Sequence, residues 1–458
     1  MQKVPFKSKS NKITDLSPTR IIVASFALWI LTGALLLTLP AASRSGESIS
    51  FLNALFTATS ATCVTGLVVV DTYNHWTLFG QLIILTLIQT GGLGIVTFAT
   101  FFSVLMGRKV GLKGRILAPE SLSNFSFEGI LSLIKRVVII TFVIELTGAL
   151  LLSTSLVPRF GPVGFYLGFF HAISAFCNAG FDLMGIMGQG NFVSLAAFNS
   201  DPVVIYTIAG LIIIGGLGFI VWKDLYEYKA SRRLELHTKI VLIITIILIL
   251  LGTIFFISFE FNNPATLGKL NFFEKINASF FQSVTPRTAG YNSIDQGKMH
   301  EISKVATIIL MFIGAAPGST GGGIKVTTFG VILMAIISEI KGSEDTMILR
   351  HRVSHSVVFK ALAITGLSAI LVIGVTTIVL AVEGGSFINV LFETTSAFGT
   401  VGLTTGITPT LHSASKICLI FTMFLGRVGP VTFAIALALK GTRKDSHIVY
   451  PEGKIVVG

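Results

Sequence analysis

The stretch Phe392-Glu-Thr-Thr-Ser-Ala-Phe-Gly-Thr-Val-Gly-Leu-Thr-Thr405 joins a short apolar run to a glycine turn, and the same piece occurs four times in the chain. Gly66, Gly180, Gly290 and Gly402, set in register, are separated by 114, 110 and 112 residues (66 to 180, 180 to 290, 290 to 402). Ten places before each stands a phenylalanine: Phe56, Phe170, Phe280 and Phe392. Six places before stand Ser60, Ser174, Val284 and Ser396; five before stand Ala61, Ala175, Thr285 and Ala397. A large apolar or aromatic residue follows each glycine: Leu67, Phe181, Tyr291 and Leu403. One such match is an ordinary helix ending at a glycine. Four at near-constant period are an internal repeat, and a repeat decides the fold.

Composition names the solvent. The 458 residues are 52% hydrophobic and 12% charged, against about 25% charged in a soluble protein. So little charge cannot cover a water-facing surface, and lipid is expected around the chain. The net charge of +12 is then read by the rule that cytoplasmic loops of membrane proteins are basic, and no nucleic-acid partner is expected. Cys63, Cys177 and Cys418 lie in or beside apolar segments, without metal spacing or a disulfide framework.

The expected fold is an all-α membrane protein of eight spans and four short re-entrant helices around one pseudo-fourfold pore. A basic tail (1–19) precedes repeat 1 (20–115), repeat 2 (116–239), repeat 3 (240–360) and repeat 4 (361–440); a short tail (441–458) follows. The first apolar run reads as a retained helix and not as a cleaved leader. Spans are expected at 21–39, 78–106, 137–156, 203–222, 240–259, 302–340 (interrupted), 361–382 and 417–439. Between the spans of each pair, 50–62, 165–176, 272–283 and 387–397 are apolar but too short to cross, the length of a helix that dips in and returns. Basic clusters fall at the N-terminus, 108–115, 135–136, 223–239, 341–360 and 440–444, all on one side by parity. Both termini are therefore expected in the cytoplasm, with the glycine loops entering from outside.

Thr400-Val401-Gly402 is close to the Thr-Val-Gly-Tyr-Gly loop of potassium-channel filters, whose main-chain carbonyls replace an ion's hydration shell. The filter candidates are Thr62, Cys63, Val64, Thr65 and Gly66; Phe176, Cys177, Asn178, Ala179 and Gly180; Pro286, Arg287, Thr288, Ala289 and Gly290; and Phe398, Gly399, Thr400, Val401 and Gly402. No ring of Asp or Glu occupies them, which argues against a side-chain-selective divalent pore. Glu393 reads as an acid at a helix N-terminus. Arg287 is expected behind its loop, braced by a carboxylate such as Glu393.

The third repeat's second span is interrupted by Gly314, Ala315, Ala316, Pro317, Gly318, Ser319, Thr320, Gly321, Gly322 and Gly323. Irregular backbone at membrane depth is tolerated only where it lines water or is buried in protein. The segment reads either as a glycine-rich kink or as a gate below the filter. Arg427, a charge in mid-span, supports the gate, since its five donors suit loop carbonyls. Lys325 reads either as a positive barrier or as a side chain snorkelling to the cytoplasmic face.

These residues resemble the membrane subunit of the Ktr/Trk/HKT superfamily of potassium transporters, most like its KtrB branch. The likeness runs through TATSATCVTGL, HAISAFCNAGF, SVTPRTAGYNS, FETTSAFGTVGL, IGAAPGSTGGGIK and FLGRVGPVTF. It implies potassium (K+) uptake, often stimulated by sodium (Na+), through a homodimer with one pore per chain. It also implies a cytoplasmic ring of nucleotide-binding regulatory subunits of the RCK type (KtrA-like), which opens the intramembrane loop. No cofactor is expected on this chain, because no glycine-rich phosphate loop follows a strand. Trk-type relatives carry extra N-terminal helices, so their absence points to Ktr. Plant-type relatives often have Ser at the first filter glycine, so Gly66 points to potassium. The tail at 449–455 resembles a family end that packs at the dimer interface.

Other classes fit less well. A secondary transporter with a midplane site requires paired interrupted spans, and only the third repeat's span reads as interrupted. An enzyme is not indicated: His75, His171, His237 and His300 are scattered, and His171 reads as a packing residue. A receptor or scaffold has no need of four such loops.

Overall fold

The structure, a computed structural model, describes residues 18–94, 127–188 and 190–429. Among the described residues the fold is all-α apart from one small hairpin. Its helices are α1 (Pro18–Leu37), α2 (Phe51–Thr62), α3 (Leu78–Gly92), α4 (Phe127–Phe160), α5 (Val163–Phe176), α6 (Pro202–Leu217) and α7 (Phe219–Ser231). They continue with α8 (Leu236–Glu260), α9 (Phe272–Val284), α10 (Glu301–Phe312), α11 (Val326–Ile340), α12 (His355–Glu383), α13 (Phe387–Gly399) and α14 (Ser413–Val428). The hairpin pairs β1 (Thr346–Ile348) with β2 (His351–Val353) in antiparallel register, Met347 facing Arg352. The basic cluster at 108–115 and both tails lie outside the described residues.

Local chemistry sets the helix starts. Ser50 caps α2 by accepting the Asn53 N–H. Asp201 accepts two N–H groups ahead of α6, with Pro202 in the first turn. Asn271 and Glu274 form a reciprocal capping box at α9, which satisfies two otherwise orphaned donors.

Among the described residues, three helices are long and apolar enough to cross a membrane: Lys135–Phe160 within α4, α8 and α12. The pair α6 and α7 counts as a fourth, bent by 93° at Gly218. The eight-span expectation therefore stands only in part: α6/α7 and α10/α11 are broken, and the spans expected at 78–106 and 417–439 run beyond the described residues. Gly218 has φ +91°, which stops α6 and redirects the chain. The continuous span expected at 203–222 is thus corrected to two helices. Gly94 and Gly429, the last described residues after α3 and α14, also have positive φ, +93° and +91°. Interruption is not confined to the third repeat, so the argument against a broken-helix transporter loses that support.

The outward faces are apolar. Ile246, Leu250, Leu251 and Ile254 on α8, and Ile370 and Ile373 on α12, are all exposed. A face of this kind suits acyl chains, not water. Two of the short helices are the reverse: Thr57, Thr59, Ser60 and Thr62 of α2, and Thr394, Thr395 and Ser396 of α13, are buried. In this packing α3 lies on α5, α6 on α9, α10 on α13 and α14 on α2, so the last helix closes onto the first short one.

Candidate functional site

Each short helix ends in a turn of one design. The residue two places before the glycine adopts the left-handed conformation: Val64 (φ 52°), Asn178 (58°), Thr288 (77°) and Thr400 (50°). The glycine follows at φ +90°, +67°, +83° and +93°. Left-handed backbone is rare for residues with a β-carbon, and four equivalent cases mean that it is imposed. The residue between them donates its N–H back into the helix: Thr65 to Ser60 O (2.7 Å), Ala179 to Ser174 O (2.8 Å), Ala289 to Thr285 O (3.0 Å) and Val401 to Ser396 O (2.9 Å).

Helix hydroxyls complete the brace. The Gly66 N–H donates to Ser60 Oγ (3.1 Å) and the Gly402 N–H to Ser396 Oγ (3.0 Å). Ser174 Oγ donates to Phe181 O (2.8 Å). The third loop has Val284 where the others have serine, and Thr285, one place later, donates to Tyr291 O (2.7 Å).

The four glycines meet in a closed cycle. A β-carbon on Gly66 would strike Ala179 O and crowd Gly180; one on Gly180 would strike Ala289 O, and one on Gly290 would strike Val401 O. One on Gly402 would strike Thr65 O and crowd Gly66, which returns to the start. Carbonyl oxygens of four loops therefore converge on one small region. All twenty filter candidates are buried, including Pro286, Phe398 and Gly399. Thr65 Oγ1 and Thr400 Oγ1 have no protein partner.

A cavity caps the cycle on one side. It is lined by the four glycines together with Asp71, Asp182, Ser194, Asn292 and Thr404. The Asp71 carboxylate accepts the N–H groups of Asn74 and Phe192, each at 2.8 Å. Burial raises the Asp182 carboxyl to about 7; the Met184 N–H opposes the rise and the Asp71 charge adds to it.

The other side is met by residues 314–323. The segment is pinned at its base, where the Gly314 N–H donates to Ile324 O (2.8 Å). It is also stitched to the break after α6: Ala316 N–H donates to Gly216 O (3.0 Å) and Phe219 N–H to Gly318 O (2.9 Å). A β-carbon on Gly321 would strike Thr288 Oγ1, and one on Gly322 would strike the Thr400 side chain. The centre of this segment thus presses on the residues that begin the third and fourth turns. Arg427 Nη1 donates to Thr320 O, and its Nη2 donates to Gly91 O and Gly92 O.

Two assignments change, and one of the two readings of Lys325 falls. Lys325 does not snorkel: its Nζ donates to Gly321 O (2.7 Å), inside the glycine segment. Arg287 is not braced by Glu393: its Nη2 donates to Thr245 Oγ1 of α8 (3.1 Å), because α9 packs on α8. Glu393 is not at a helix start. It lies in the second turn of α13 and accepts from Thr404 Oγ1 (2.5 Å), Thr405 N (2.9 Å) and Thr408 Oγ1 (2.7 Å), tying down the chain that leaves the fourth glycine. His171 does more than fill space. Leu183 N–H donates to Nε2 (3.2 Å), so Nδ1 carries the proton and donates to Leu167 O (2.7 Å).

Glu145 went unread in the sequence. It is buried on α4 and accepts from Gln89 Nε2 (3.2 Å), with Cys177 Sγ at 3.9 Å. An acid in the middle of an apolar span was the available signal.

A family model described as "Cation transport protein" (TrkH) matches residues 2–445. The chain is 42% identical over 454 residues to the Ktr system potassium uptake protein B of Bacillus subtilis, covering 99% of each. It is 41% identical over 450 residues to the potassium/sodium uptake protein NtpJ of Enterococcus hirae, covering 97% of this chain and 98% of that one. The crystal structure of the potassium transporter TrkH from Vibrio parahaemolyticus shares the fold, with TM-score 0.72 and 17% identity over 95% of this chain and 87% of that one. On the family match and these identities, the chain belongs to the TrkH family of cation transport proteins, a family of transporters and not of enzymes.

Proposed function

We propose that the chain is the pore-forming subunit of a potassium uptake system. Four span–loop–span units surround one pseudo-fourfold pore, and a dehydrated K+ ion passes through main-chain carbonyls of the four turns. The closed cycle Gly66–Gly180–Gly290–Gly402 carries the reading. Main-chain oxygens of all four loops are brought together there, and they suit a monovalent cation. The names of the Bacillus subtilis and Enterococcus hirae relatives agree with it.

Residues 314–323 form the gate. The segment occupies the inner end of the filter and is held by Arg427 and Lys325. Opening is driven from outside the chain, by a cytoplasmic ring of nucleotide-binding subunits on a homodimer in the cell membrane. Both termini face the cytoplasm. A second reading, in which sodium also permeates, is favoured by the NtpJ name.

The test is rubidium uptake in potassium-starved cells that lack their own uptake systems, with and without the regulatory partner. Partner-dependent uptake is expected; failure in both conditions overturns the reading. Competition by sodium separates the two ion preferences.

Asp182 supplies a pH dependence. Its carboxyl is neutral below about 7 and ionised above it, so the outer mouth gains negative charge as the outside becomes alkaline. Rubidium uptake at low concentration is expected to rise between pH 6 and 8, because a charged mouth concentrates cations. Asp182→Asn should flatten that rise; an unchanged slope refutes the assignment.

A further inference from the structure

Each short helix is tied to the second helix of the preceding unit by one polar contact. Tyr166 Oη of α5 donates to Gln81 Oε1 of α3 (2.9 Å). Tyr206 Oη of α6 donates to Asn277 Oδ1 of α9 (2.9 Å). Lys304 Nζ of α10 donates to Asn389 Oδ1 of α13 (3.2 Å). Lys416 Nζ of α14 donates to Asn53 Oδ1 of α2 (3.1 Å), closing the circle. Asn53, Asn277 and Asn389 all stand thirteen places before their glycines, and Tyr166 stands fourteen before. The two lysines stand fourteen places after theirs. A polar contact occurs on every seam, and its positions match fully on the last two, where a lysine fourteen places after one glycine meets an asparagine thirteen places before the next.

The seams are not equal. The first two are neutral. The last two carry an ammonium, and both flank the fourth unit, whose turn holds Thr400-Val401-Gly402. Lys304 is buried. The lysine contacts, at 3.2 and 3.1 Å, are no shorter than the neutral ones at 2.9 Å; what sets them apart is the charge of the donor, and both border the fourth unit.

We infer that Lys304 and Lys416 are positioning residues for ion selectivity: by clamping Asn389 and Asn53 they hold the fourth turn at the distance that suits potassium. This rests on the carbonyl-filter reading above. The lysines touch no ion in transit. They fix how closely the fourth glycine approaches its neighbours, and so how well the oxygens contract around a smaller cation. The clamps act on helices, not on the gate, so their loss alters which ion passes before it alters partner dependence.

The test measures rubidium uptake and its inhibition by sodium in proteoliposomes that hold the full chain with its regulatory partner. Lys304→Met and Lys416→Met keep the apolar stem and remove the donor. Each is expected to lower rubidium-over-sodium preference about fivefold, the effect of ~1 kcal/mol. Lys304→Arg and Lys416→Arg should restore most of it. Lys304→Met combined with Asn389→Leu should be no worse than either alone, since both remove one contact. If a Met variant destabilises the fold, the Asn389→Leu and Asn53→Leu variants break the same contacts from the other side. Unchanged preference in variants that still transport, or additive loss in the double variant, overturns the inference. Absence of rubidium uptake by the unaltered chain would instead sink the filter reading.

Discussion

Replacing Gly402 by Ser is expected to weaken potassium preference and to lower rubidium uptake more than about tenfold. At φ +93° any β-carbon is strained, by roughly 1–2 kcal/mol. The added atom also meets Thr65 O and Gly66 Cα of the first loop, an overpacking worth roughly another 1–3 kcal/mol. The fourth turn cannot retreat, because Ser396 and the helix behind it hold the Gly402 and Val401 N–H groups. The strain must therefore pass to the first loop and spoil two sets of oxygens together. Rubidium uptake with sodium competition, measured against the unaltered chain at equal membrane levels, checks it. A variant with unaltered preference would mean that the cycle does not select ions.

Shortening the segment 314–323 is expected to make uptake independent of the regulatory partner. Gly321 and Gly322 press on Thr288 and Thr400, and Thr320 O, Gly321 O and Gly322 O are held by two cationic side chains. Removing Thr320, Gly321 and Gly322 deletes those contacts and keeps Ile313 and Ile324, which pair at the base. Arg427→Gln should act in the same direction but less, since Lys325 still holds the segment. Flux measured with and without the partner decides; undiminished dependence in the shortened chain would mean that another element closes the path.

The sequence carried the parts of this design that lie close together along the chain. The glycine register, the phenylalanine ten places before each glycine and the hydroxyls behind the turns could be read because a repeat displays the same local solution four times. Even the shift from Val284 to Thr285 was visible as an exception. The partners of buried charges were not legible. Arg287 and Glu393 are opposite in sign and each close to a turn, but whether they meet depends on how α9 and α13 are rotated, which no spacing encodes. The break at Gly218 was hidden for another reason: a lone glycine in an apolar run reads equally as close helix packing or as a change of direction. The seam asparagines left a trace in their common spacing. They are single polar residues at helix starts, where a polar residue needs no special explanation.

The closing contact between Lys416 and Asn53 joins residues 363 positions apart. A ribosome has therefore made nearly the whole polypeptide before α2 meets the neighbour that completes its surroundings. Contacts so distant in sequence form late and slowly. Until then the nascent protein has a hydroxyl-rich flank of α2 facing lipid, where polar groups are costly. A product cut short before α14 would not be a smaller collar. It would be a broken one, with the α2 edge left uncovered.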